Sequence, residues 1–207
     1  MPTHVSLAAD VHDEILLAEE FLDWLTPDRH ADLLDGEIAM HSPVSLRHAR
    51  LLNFVDRLLS IHVERFDLGM VFREVVAVRL SARNVFLPDL AFYRTDRLGL
   101  QRDNYIDGAP DLAVEVLSPR TAHRDVGVKF VEYEQHGVKE YWVLDPETLA
   151  HRFYTRRGDV LSEFAAGESV IRSPLLPGLP LRRAWLTPDR PPKVESCLAE
   201  GPTPHPS

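Results

Sequence analysis

The chain has 207 residues, enough for one domain with a substantial core; hydrophobic residues make up 44% and charged residues 27%, which excludes a disordered polyelectrolyte. The formal net charge of −9 argues against a general nucleic-acid binder with a broad basic surface, although it leaves room for carboxylates that a cation would neutralise. No stretch approaches the ~20 apolar residues that span a bilayer, the N-terminus lacks a signal-peptide pattern, and the single cysteine, Cys197, excludes an intrachain disulfide; a cytoplasmic protein is the expectation.

Residues 1–13 read as a flexible N-terminus and residues 14–25 as a short amphipathic helix. Asp32–Met40 reads as a tight hairpin, with Asp35-Gly36 at the turn and Glu37 opening the second strand. Leu51, Leu52, Val55, Leu58, Leu59 and His62 recur at helical spacing, which predicts a long helix over 45–67. Two strands, 71–80 and 85–93, are expected to form an antiparallel hairpin, followed by a polar loop over 94–109. A strand at 112–117, a helix at 121–136 and a strand at 140–144 imply a right-handed crossover joining a parallel pair. A further hairpin covers 149–155 and 160–164, and a short strand falls within 170–186. From Thr187 to Ser207 the prolines at 188, 191, 192, 202, 204 and 206 predict a disordered tail. The domain therefore spans 14–186. The expected fold is α/β, a mixed sheet flanked by helices with additional β-hairpins.

Two carboxylates stand out. Glu115 interrupts the apolar strand Pro110-Asp-Leu-Ala-Val-Glu-Val-Leu-Ser-Pro119, and Asp89 interrupts Val85-Phe-Leu-Pro-Asp-Leu-Ala-Phe-Tyr93. A charge in such a strand is costly unless paired or cation-bound. Alternation places Glu115 with Ala113 and Leu117 on one face and Leu112, Val114 and Val116 on the other; Asp89 is expected to share a face with Leu87 and Ala91. If the strands are neighbours, both carboxylates converge on one divalent cation, Mg²⁺ or Mn²⁺. Such a cation would polarise a phosphoryl oxygen, and a nearby lysine would orient the attacking water or face the developing charge. Only three of the 23 Lys and Arg residues are lysines (Lys129, Lys139, Lys193), so Lys129 in the crossover helix carries some weight. Asp125, Lys129, Tyr133 and His136 fall on one stripe of that helix.

Each of these residues has a plainer reading. Glu115 could reach solvent or an arginine at a strand edge, Asp89 could cap a turn after Pro88, and Lys129 could pair with Asp125 on a solvated helix face. Tyr133 could be core, and Asp125 could cap the helix or orient Lys129.

Taken in order, Pro88-Asp89, the segment Pro110–Pro119, Arg124-Asp125 with Lys129, and Gly137-Val-Lys-Glu-Tyr-Trp-Val-Leu-Asp-Pro146 resemble the Uma-type family of restriction-endonuclease-like proteins, within the PD-(D/E)XK nuclease superfamily. The resemblance runs from about Glu19 to Leu186 and includes Asp35-Gly-Glu-Ile38. It implies a restriction-endonuclease-like fold with Asp89 and Glu115 as metal-binding carboxylates. Leu117 stands where the lysine of the superfamily's Glu-X-Lys would fall, so the chain resembles a migrated-lysine variant served by Lys129. Glu37 matches an additional acidic position and His48 a frequent histidine of the long helix. The implied activity is metal-dependent hydrolysis of phosphodiester bonds, DNA first among substrates, by a homodimer. The alternatives are a catalytically silent binding module on the same scaffold and a hydrolase of another phosphoester.

Overall fold

The structure is a computed structural model and describes residues 15–26, 28–73, 76–119 and 122–202. The N-terminal segment 1–13 and Thr121 lie outside the described residues. Helix α1 (Ala18–Trp24) is shorter than its periodicity suggests and buries Ala18, Phe21 and Leu22. The hairpin β1 (Ala31–Leu34) and β2 (Glu37–Met40) follows as expected. Asp35 and Gly36 both have positive φ, 50° and 86°, the combination a two-residue primed turn requires. A Cβ on Gly36 would also meet Ile15 Cγ2 at 2.3 Å, so glycine is required there twice over.

Helix α2 (Leu46–Arg65) is capped by Ser45, whose Oγ accepts from the His48 backbone N–H. Its apolar stripe packs on one face of a six-stranded sheet, through Leu51, Val55, Leu58 and Leu59 against Leu112, Val114, Val116 and Trp142.

The next segment departs from the simple hairpin. The chain forms β3 (Gly69–Arg73), β4 (Ala77–Arg79), β5 (Val85–Phe86) and β6 (Leu90–Arg94), and the pairs belong to different sheets. β4 pairs antiparallel with β5 in a small sheet, while β3 pairs antiparallel with β6 in the large one. The second strand breaks at Leu87–Asp89 because Pro88 has no N–H for a ladder and the Leu87 N–H is taken by Asp32 Oδ1 at 2.7 Å. Asp89 is therefore not a strand residue. It lies at the corner where the chain crosses between sheets, and the expected alternation with Leu87 and Ala91 fails across that corner.

Residues 94–109 are likewise more than a loop. They contain a 3₁₀ turn (Thr95–Leu100) and β7 (Tyr105–Asp107), which runs parallel to β4. Buried Ile106 packs with Val78, Ala91 and Tyr93, joined by Leu98 and Leu100, and this anchors the segment.

Strand β8 (Leu112–Val116) is buried along its whole length. After it come α3 (Ala122–Asp125), α4 (Val128–Gln135) and β9 (Glu140–Leu144), the last parallel to β8. The crossover helix expected over 121–136 is thus split. Gly127 is the reason: its φ and ψ are −113° and −103°, and a Cβ there would lie 2.5 Å from the His123 carbonyl oxygen. The second face of the large sheet, with Ala113, Tyr141 and Val143, packs on Tyr133 and Phe130 of α4.

Strands β10 (Arg152–Arg157) and β11 (Val160–Phe164) form the expected hairpin, and β12 (Val170–Ile171) pairs with β13 (Leu181–Arg182). The large sheet has the order β11-β10-β9-β8-β6-β3 and the small one β2-β1-β5-β4-β7. Beyond Thr187 the described part of the proline-rich segment, through residue 202, contains α5 (Val194–Leu198). Val194, Cys197 and Leu198 are buried in the α2 core, so an apolar triplet outweighs the surrounding prolines. Among the described residues no helix is long and apolar enough to cross a membrane.

Candidate active site

β8 presents Glu115 on the α4 face of the large sheet, as alternation predicts. Its neighbour β6 pairs antiparallel with it, Leu90 opposite Val114, which places Asp89 beside the end of β8 that carries Glu115. The Val116 N–H donates to Asp89 Oδ2 at 2.6 Å, fixing that carboxylate against the strand. The crossover after β8 returns α4 across the same face. Lys129 Nζ donates to Glu115 Oε1 at 3.0 Å, and the Tyr133 hydroxyl donates to the same oxygen at 3.0 Å.

Lys129 has further partners. Its Nζ lies 3.1 Å from Asp32 Oδ2 and 3.6 Å from Asp125 Oδ1. His41 Nε2 lies 3.0 Å from Asp32 Oδ2, and His48 Nε2 lies 3.3 Å from Asp89 Oδ1. Asp32, His41, His48, Asp89, Glu115, Asp125 and Lys129 line a cavity of about 40 Å³, together with Ser42, Ser118 and Arg124.

Charge explains the behaviour of this cluster. Four carboxylates, Asp32, Asp89, Glu115 and Asp125, face a single ammonium, Lys129, and all five residues are buried. Burial pushes the Glu115 carboxyl well above the usual range; Lys129 opposes this, but Asp125, Asp89 and Asp32 push it further. Burial also works against the Asp32 carboxylate, yet Lys129 and His41 bring its pKa down to about 2. For Lys129, burial disfavours the ammonium, and Asp32, Glu115 and Asp125 more than compensate, so it stays cationic. Burial and the nearby carboxylates raise the Tyr133 hydroxyl well above its ordinary value, which keeps it a donor.

The residues fit a hard divalent cation by charge and donor chemistry. A buried excess of negative charge is relieved by taking up a proton or a cation, and carboxylate oxygens are the donors hard divalent cations take. Among the described residues, no three His, Cys, Asp or Glu side chains already stand in ligand geometry.

Of the residues singled out in the sequence, the fold brings Asp89, Glu115, Lys129, His48, Asp125 and Tyr133 together. Glu37 is not among them. It is exposed on β2, opposite Leu34, and does not line the cavity. The acid that the hairpin contributes is Asp32, which in the sequence is simply the first residue of the expected hairpin. Alternation sets Asp32 on the opposite face of β1 from Ala31 and Leu33, and that face is buried too.

A family model described as "Uma2: Putative restriction endonuclease" matches residues 18–184. The fold is similar to a crystal structure described as a "putative nuclease belonging to DUF820" from Anabaena variabilis ATCC 29413. The two share 18% identity with a TM-score of 0.70, over 83% of this chain and 97% of that one. No curated protein matches the chain.

Proposed function

The chain belongs to the Uma2 family, and from that premise we propose that it is a divalent-cation-dependent endonuclease that hydrolyses phosphodiester bonds in DNA. One observation carries this reading: Asp89 from the sheet corner, Glu115 from β8 and Lys129 from α4 meet in a single buried cavity. Asp89 and Glu115 would hold Mg²⁺ or Mn²⁺. When bound, such a cation polarises a phosphoryl oxygen and lowers the pKa of water.

The remaining work falls to the side chains. Lys129, kept cationic by Asp32 and Asp125, offers N–H donors to the attacking water and to the charge that develops on the phosphoryl oxygens. Tyr133 fixes the Glu115 carboxylate by donating to Oε1. The Val116 N–H and His48 hold Asp89 from two sides. Arg124 is the one arginine among the described residues lining the cavity, so the arginine clamp expected of an enzyme for small free phosphoesters is not assembled there. Two copies of the chain would address the two strands of a duplex.

Incubation of supercoiled plasmid and of single-stranded DNA with Mg²⁺ or Mn²⁺ tests this directly. Nicking or linearisation that stops with chelator supports the nuclease. Cation binding without cleavage of either substrate would point instead to a silent binding module.

A further inference from the structure

A second cavity of about 270 Å³ lies between α1 and the corner that carries Asp89. It shares one lining residue with the active-site cavity, Leu87. Leu22, Leu25 and Leu87 supply apolar surface, while Thr26, Arg29 and Asn104 supply polar groups. The Arg29 guanidinium lies 4.7 Å from the Trp24 ring centroid, and Nη1 donates to the Trp24 carbonyl at 2.7 Å, so this planar cation is held in place. We propose that this cavity receives an unstacked nucleobase from the strand being cut. The substrate is then single-stranded or locally opened DNA. The proposal rests on the nuclease reading above and names its substrate class.

Three observations lead to it. First, the 40 Å³ active-site cavity has room for a water or a few phosphate oxygens and none for a base. A nucleotide whose phosphate sits there must put its base elsewhere. Second, Leu87 lines both cavities and Asp89, two residues on, lines the first, so a nucleotide held by its phosphate in one has the other directly beside it. Third, the lining is of mixed character. Apolar side chains and a fixed guanidinium suit the faces of a ring, and an amide with a hydroxyl suits its hydrogen-bonding edge. The volume falls just below the ~300–1,000 Å³ common for small-molecule pockets, which suits one ring system and not two stacked bases. A base paired inside a duplex cannot enter such a pocket without leaving the stack.

The test uses ligands without a scissile phosphodiester bond, so that it does not depend on catalysis. Calorimetric titration with Mg²⁺ compares the four 2′-deoxynucleoside 5′-monophosphates with 2-deoxyribose 5-phosphate, which carries the same phosphate and no base. At least one nucleotide should bind about tenfold more tightly than the sugar phosphate. Thr26→Trp, which fills the cavity from an exposed position, should abolish that difference, and Asn104→Ala should reduce it at unchanged melting temperature. Equal affinity for all five ligands, or a preference that survives both variants, overturns the pocket. The two readings separate cleanly. Metal-dependent plasmid cleavage without base preference keeps the nuclease and removes the pocket, whereas base preference without cleavage of any DNA keeps the pocket and removes the nuclease.

Discussion

At the residue scale, the site is an electrostatic compromise. Glu115 is buried beside three other carboxylates and one ammonium, and its ionised form is disfavoured for that reason. Glu115→Gln keeps an acceptor for Lys129 and Tyr133 while removing the charge. In the metal-free protein it should raise the melting temperature by ~2–4 °C and eliminate cleavage, a trade of stability against activity read by calorimetry and gel assay. Asp32 behaves in the opposite sense. Its pKa falls from 3.8 to about 2 on folding, so its contribution to stability is present above pH 4 and is lost as pH falls towards 2. Urea titrations between pH 5 and 2 should show the wild type losing on the order of 2 kcal/mol more than Asp32→Asn. Parallel curves would contradict this. At the alkaline end, Lys129 has a raised pKa, so its share persists through pH 10.5 and is lost only above it. Glu115, Asp89 and Lys129 were legible in the sequence because each is a charge set in an apolar or chemically unusual context. Glu37 shares the hairpin face of Asp32 but sits at the turn end, opposite half-buried Leu34, so it is exposed and does not line the cavity.

At the element scale, the break between α3 and α4 sets the angle at which Lys129 approaches Glu115. Gly127→Ala would push a Cβ against the His123 carbonyl oxygen, and overpacking of that kind costs ~1–3 kcal/mol. Because Asp125 and Lys129 flank the break, cleavage should fall more than tenfold even where the variant remains folded, as single-turnover assays below its melting point would register. The strand-helix-strand order over 112–144 was readable from periodicity, and so was the parallel pairing of β8 with β9. The division of 71–93 between two sheets was not. A hairpin pattern in sequence does not say that its two ends will pair in one sheet and its turn in another; that is decided by Pro88 and by the side chain of Asp32, a residue fifty-five positions from its partner Leu87.

At the scale of the whole molecule, α5 closes the core over α2, the helix that carries His48. Composition alone hid this, since a few apolar residues among many prolines are enough when they fall on one short helix face. Leu198→Ala should therefore destabilise the protein by ~2–4 kcal/mol in denaturant titrations, while the rate of cleavage at 25 °C stays within twofold of wild type. A truly disordered tail would show no loss. The acidic net charge of −9 has its own consequence: DNA should bind weakly in chelator and more tightly once a divalent cation offsets the buried carboxylates.

The central claim is that Asp89, Glu115 and Lys129 together form a cation-dependent phosphodiesterase site. Its most direct test is plasmid cleavage in Mg²⁺ or Mn²⁺ by wild type, Asp89→Asn, Glu115→Gln and Lys129→Met, each first shown to be folded by its melting transition. The account predicts cleavage by the wild type and a loss of at least a hundredfold in every folded variant. Cleavage that persists in Lys129→Met or Asp89→Asn at wild-type rate would contradict it.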